Sequence, residues 1–299
     1  SDFSRAATMA SADSCLRERS TTSKPDLAAT SAMPDPMMPE PRIPTRSIVM
    51  AGDATERSPG VPKPCPVPGT VVVMTGTLAL VGGREWTEGC TFDEALVAGV
   101  TEVLVLPSAL AYENPAAAVD RARAWFGRWG VAVSVLDVYR RAEALEPGPA
   151  ERAADAQMVY VVGGSPMHLR SVLKDTPLFD ALVGAWRAGA TVAASGEAAS
   201  VLSSHMVDSR GGAYTVGLDL IETMTVIPRS NGWSPEKLHR TVELARPGLA
   251  VVAIDEATAL IHSPDGTWRV EGAGNVTVYR DGHPADLADL PSLLRPEPA

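Results

Sequence analysis

The residues best placed to do chemistry lie in one stretch, Thr191-Val-Ala-Ala-Ser-Gly-Glu-Ala-Ala-Ser-Val-Leu202. Its pattern is a short apolar strand, a turn of small residues and a helix. A strand–turn–helix of this kind can act as a nucleophile elbow: it lifts one side chain above a parallel sheet and aims the next backbone N–H groups at a developing oxyanion. Strand and helix nearly touch at such a turn, so the positions two before and two after the apex must be small. Ala194 and Ala198 meet that condition if Gly196 is the apex, whereas an apex at Ser195 would put Glu197 where a small residue is needed. The expected turn is therefore intact and its apex carries no reactive side chain. Ser195 is the alternative nucleophile, reached by a one-residue shift.

Other reactive types are scattered. His168 follows the turn Gly163-Gly164-Ser165 and is the histidine best placed to meet a ligand. His205 is near Asp208, a spacing that invites a dyad reading, though a lone histidine at a helix end more often caps carbonyls or faces solvent. Asp255-Glu256 follows an apolar strand and reads as turn capping with an ion pair, or as recognition of a charged group. Cys90 sits at a helix start, where a thiol can be activated, but a half-buried structural cysteine is the plainer reading. Three cysteines give neither metal spacing nor a disulfide framework, and no G-x-x-x-x-G-K-S/T loop is present. No metal and no cofactor are expected.

The elements that must position these residues alternate between strand and helix. Apolar runs at 77–81, 102–106, 131–138, 158–162 and 191–194 are separated by helical patterns at 92–97, 114–129, 167–174 and 176–188, with a loop around Pro147-Gly-Pro149. Asn114-Pro115 and Ser234-Pro-Glu-Lys237 are helix starts, each a capping side chain followed by proline at the first helical position. Such alternation predicts an α/β fold: a doubly wound, mostly parallel sheet with flanking helices. Ligands of these sheets bind at the carboxyl ends of strands. Gly82–Arg84, Pro107–Ala109, Gly163–Ser165 and Ser195–Glu197 all follow strands and point to one cleft. A loop or hairpin over 205–216, strands at 224–227 and 249–254, and short strands to about 280 make an antiparallel finish at the sheet edge.

Composition limits the function. A net charge of −10 with no lysine–arginine cluster argues against nucleic acid. No run of about 18 apolar residues predicts a membrane span. Residues 1–69 hold 11 of the 25 prolines and read as a disordered leader rich in Pro, Ser and Ala. Residues 70–283 form the folded domain, and 284–299 read as a frayed tail. The expected location is cytoplasmic and the expected partner a small molecule or peptide; a homodimer stays open.

Four segments carry a resemblance. Ala79-Leu-Val-Gly-Gly-Arg84, Val161-Val-Gly-Gly-Ser165, Val192 to Leu202 and Ala253-Ile-Asp-Glu-Ala-Thr-Ala-Leu260, in this order, are similar to the serine peptidases that include cyanophycinase and α-aspartyl dipeptidase (dipeptidase E). The resemblance spans about residues 78–282. It implies a class I glutamine amidotransferase-like fold, a serine nucleophile at the position of Gly196 and a histidine base at that of Arg229 in Pro228-Arg229. It also matches an acidic member, loosely, to Asp208, and backbone oxyanion donors to Gly164 or its neighbour and Glu197. Glycine has no attacking oxygen and arginine stays protonated at neutral pH, so this chain departs from the family at both seats. Glu197 and Arg229 flank those seats and are expected to form an ion pair, since two converging charges would otherwise be left unpaired.

Overall fold

The structure is a computed structural model that describes residues 75–208, 210–291 and 293, all within the compact unit Pro66–Ala299. The expected leader, residues 1–69, lies outside the described residues. In chain order the elements are β1 (Leu78–Val81), α1 (Phe92–Leu96), β2 (Glu102–Leu106), α2 (Pro115–Phe126), β3 (Ala132–Val135), α3 (Arg141–Ala144), α4 (Pro147–Ala154), β4 (Met158–Val161), α5 (Pro166–Leu173), α6 (Pro177–Arg187), β5 (Thr191–Ser195) and α7 (Glu197–Val201). They continue as β6 (His205–Val207), β7 (Tyr214–Val216), β8 (Met224–Pro228), α8 (Pro235–Glu243), β9 (Ala250–Ile254), β10 (Thr258–His262), β11 (Trp268–Gly272), β12 (Val276–Arg280) and β13 (His283–Ala285).

The main sheet has the order β11-β10-β1-β5-β4-β2-β3. Strands β1, β5, β4, β2 and β3 run parallel, and β10 and β11 add an antiparallel edge. Strands such as Met158-Val-Tyr-Val161 are apolar throughout because both faces are covered. Alternate residues feed two cores. Leu78, Leu80, Val159, Val161, Val192 and Ala194 pack with α5 and α6 on one face. Ala79, Val81, Met158, Tyr160 and Ala193 pack with α1 and α2 on the other. Each fully buried Leu or Val side chain contributes about 1.5–3 kcal/mol, so this two-sided burial is the main force holding the strands level.

The expected helix starts form as read. Asn114 Oδ1 accepts from Ala117 N at 3.1 Å and Ser234 Oγ from Lys237 N at 3.3 Å. Several expectations need correction. The Pro147-Gly-Pro149 segment is the first turn of α4, a place where proline's missing N–H costs nothing. The third strand is shorter than 131–138, because β3 is an edge strand pairing only with β2 before Leu136 and Val138 turn into the core. The antiparallel finish is divided between two sheets: β10 and β11 join the main sheet, while β8, β9, β12 and β13 form a second. The tail from residue 284 begins as structure, with β13 paired on β12 and Leu290 buried in the core.

Candidate active site

The parallel register assembles the site. Val81 pairs with Ser195 and Val161 with Ala194, so the turns after β1, β4 and β5 end side by side. Gly196 N donates to Val81 O at 2.8 Å, which ties the β5 turn to β1. Strand β8 of the second sheet ends against the same turns, where Arg229 N donates to Gly82 O at 2.8 Å.

Gly196 adopts φ 55° and ψ −130°, a combination free to glycine and strained for any residue with a side chain. It joins β5 directly to α7. A Cβ built there would lie 3.9 Å from Arg229 Nη2, 3.9 Å from Gly163 Cα and 4.0 Å from Gly83 Cα. A side chain at position 196 would therefore point between two glycine turns and one guanidinium. Close approach explains Gly163, where a Cβ would meet the Ser195 carbonyl oxygen at 2.7 Å. Gly164 packs on Ala109 in the same way, and Ser165 N donates to Ala109 O at 2.9 Å.

Arg229 takes the left-handed conformation, φ 51° and ψ 43°. Its stem lies over Gly83 and its Nη2 donates to Glu197 Oε1, forming the expected ion pair. The pair is unequal: the Glu197 side chain is 8% exposed and that of Arg229 45%. The inner oxygen, Glu197 Oε2, is buried without a hydrogen-bond partner among the described residues.

Ser195 points to the opposite face from Ala194. It is fully buried, and its Oγ donates to Glu85 Oε2 at 2.6 Å. No imidazole contacts it among the described residues. Glu85 was not singled out in the sequence. The signal was available only indirectly, since it follows the Gly82-Gly83-Arg84 turn on the strand that neighbours β5. Beneath it, Asp93 on α1 is fully buried and accepts from Trp125 Nε1 at 2.8 Å. Burial raises the Asp93 carboxyl to about 7; the Trp125 hydrogen bond works against that, and Glu85 adds to it. Burial likewise raises the thiol of Cys90, which is fully buried rather than half-buried and so stays protonated.

The remaining candidates are elsewhere or otherwise engaged. Asp208 follows β6, and its carboxylate takes a two-point contact from Arg210, whose hydrogen bonds hold its pKa down. His205 Nδ1 is 2.8 Å from Ser204 Oγ. His168 Nε2 lies 2.9 Å from Tyr139 O, with its ring edge-on to Tyr112. Asp255 accepts from Ser230 Oγ at 2.6 Å and Asn275 N at 3.0 Å, and Glu256 lies 3.7 Å from Arg84, which is the capping and ion-pair role. Among the described residues no group of three or more His, Cys, Asp or Glu is placed to hold a metal, and no helix is long and apolar enough to cross a membrane.

Comparison with known proteins agrees with this architecture. The model of "Peptidase family S51" matches residues 83–268. The cyanophycinases of Nostoc sp. and Trichormus variabilis are each 28% identical over 220 residues, covering 70% of this chain and 72% of theirs. The crystal structure of a peptidase from an acI-B1 Actinobacterium superposes with a TM-score of 0.63 at 28% identity, covering 70% of this chain and 93% of that one.

Proposed function

The chain belongs to peptidase family S51, and we propose that it binds a small molecule or peptide in the cleft above Gly196 without cleaving it. One observation carries this reading. The Cβ position of residue 196 faces Arg229 Nη2 at 3.9 Å, so the two seats to which the resemblance assigned nucleophile and base are adjacent, and they hold glycine and arginine. Glycine cannot form an acyl intermediate, and a guanidinium cannot take a proton from an attacking hydroxyl near neutral pH. Losing both removes the covalent route while leaving the cleft and its backbone donors. The Glu197–Arg229 pair, with its carboxylate buried, occupies the base seat in place of a histidine.

A second reading has one observation in its favour. Ser195 Oγ donates to the Glu85 carboxylate at 2.6 Å, and a carboxylate can serve a serine as base. Against it, Ser195 is fully buried and lies one residue before the strained turn. A fluorophosphonate probe with peptide mapping separates the two. The binding reading predicts no adduct in residues 191–202, and a stoichiometric adduct on Ser195 would establish the hydrolase.

A further inference from the structure

We propose that the carboxyls of Glu85 and Asp93 form a proton-operated catch on the loop after β1: with a single negative charge between them residues 83–90 close on the sheet, and with two the loop is released. Gly83 of this loop lies beside Gly196 and under Arg229, so the catch links pH to the wall of the cleft. It does not depend on whether the cleft binds or cleaves its ligand. Three observations support it.

The two acids belong to one buried cluster of acidic groups. Asp93, on α1, is fully buried; its Oδ2 accepts from Trp125 Nε1 at 2.8 Å, and its Oδ1 has no hydrogen-bond partner among the described residues. Glu85, on the loop, accepts from Ser195 Oγ of β5 at 2.6 Å. Tyr160 of β4 and Cys90 of the loop complete the cluster. Burial holds both above their ordinary pKa, and Asp93 adds to the rise in each case. Glu94, the other acid of α1, is exposed, as are Arg121 and Arg123 of α2. Arg84 is 3.7 Å from Glu256, and Arg128, whose guanidinium lies over the Trp125 ring, is 3.2 Å from Glu88. The arginines of the surrounding elements are thus engaged outside the cluster, and two carboxyls without a counter-charge favour one shared proton.

The loop is the part that can yield. Residues 83–90 form no helix or strand, and Gly83, Arg84 and Trp86 take positive φ, a shape that persists only while its ties hold. Those ties include Ala257 N to Gly83 O at 2.8 Å, Thr87 Oγ1 to Arg84 O at 3.0 Å and the Ser195 bond to Glu85. The indole of Trp86 packs on Tyr160 with ring centres 5.0 Å apart, but its Nε1 is buried without a partner among the described residues. Tyr160 and Ser195 stand on central strands of the sheet and Trp125 on a helix packed against it, so they cannot move as easily.

Release is felt at Arg229. Its stem lies on Gly83, where a Cβ would be 3.0 Å from Arg229 Cγ, and Arg229 N donates to Gly82 O at 2.8 Å. The sign follows from Asp93. Burial raises its carboxyl from 3.8 to about 7; the Trp125 hydrogen bond opposes the rise and Glu85 adds to it. The closed loop therefore keeps a proton that the open loop, with Asp93 hydrated, gives up. Opening becomes easier as pH rises from about 4, and the change is complete above about 7.

Amide hydrogen exchange of the full chain, corrected for the intrinsic rate, tests the catch from pH 5 to pH 8. Residues 83–90 are expected to exchange through an opening of lower free energy than that of β4. That opening grows by up to about tenfold per pH unit and levels off above about pH 7. Asp93→Asn keeps an acceptor for Trp125 and cannot ionise, so it is expected to hold the loop closed with no pH dependence. Glu85→Gln removes the second charge and is expected to move the levelling-off to lower pH; its profile decides alone if Asp93→Asn does not fold. Loop protection that does not change with pH, a loop that opens only together with β4, the same pH dependence in Asp93→Asn, or an unshifted profile in Glu85→Gln overturns the proposal.

Discussion

Arg229 closes on Glu197 across the turn that joins β5 to α7, with the carboxylate buried and the guanidinium half in solvent. The pair fixes the position of both partners, but its cost is uneven. Arg229→Ala would leave a buried carboxylate with no counter-charge, while Glu197→Gln would leave an arginine that water can reach. Arg229→Ala is expected to destabilise by about 1–3 kcal/mol, below the usual cost of breaking a fully buried pair because the arginine side is exposed. Glu197→Gln should cost less, and the double variant should recover most of the Arg229→Ala loss. Urea unfolding of the four proteins measures this, and strictly additive effects would contradict the pairing.

Asp93 gives the fold a pH dependence of definite sign. Its carboxyl rises from 3.8 to about 7 on folding, so the native state binds the proton more tightly than the unfolded chain. Stability from this group is full below about pH 4 and is lost as pH rises through about 7. A shift of that size corresponds to about 4 kcal/mol by linkage. His262, fully buried and lowered by burial, acts in the opposite direction as pH falls below its ordinary range. The difference between Asp93→Asn and the parent isolates Asp93. The variant should gain on the parent between pH 5 and pH 8, and a pH-independent difference would contradict the assignment.

Two neighbouring glycines should fail for different reasons. Gly163→Ala drives a Cβ against a backbone oxygen at 2.7 Å and should cost about 1–3 kcal/mol through displacement of the β5 turn. Gly196→Ala meets nothing closer than 3.9 Å, so its cost is backbone strain alone, about 1–2 kcal/mol. Crystal structures would show a shifted β5 turn in the first and an unmoved one in the second.

The loop after β1 is held in a strained shape, with positive φ at Gly83, Arg84 and Trp86. Ser195 and Glu85 supply one of its ties. Ser195→Ala is expected to speed amide hydrogen exchange over residues 83–90 and to lower stability by about 1 kcal/mol. Unchanged exchange there would mean that the bond does not restrain the loop.

The sequence made much of this legible. Continuous apolar runs such as Met158–Val162 showed a sheet buried on both faces, and the small residues around Gly196 showed where strand and helix meet. The convergence of Glu197 and Arg229 followed once both were placed at carboxyl ends of strands. What stayed hidden depends on pairing between distant segments. The second sheet around β9 cannot be told from an edge extension by pattern, because β8 and β9 are buried throughout just as the main-sheet strands are. Glu85 and Asp93 were missed because their partners, Ser195 and Trp125, are 110 and 32 residues away. The α4 start was hidden by its prolines, which punctuate loops and helix first turns alike.

The central claim is that the chemistry of this cleft was lost at residues 196 and 229. It is tested most directly by restoring both and measuring fluorophosphonate adducts by intact mass and peptide mapping. The account predicts no adduct on the parent protein and an adduct on residue 196 in the double variant Gly196→Ser/Arg229→His. An adduct on Ser195 of the parent, abolished by Ser195→Ala, would contradict it.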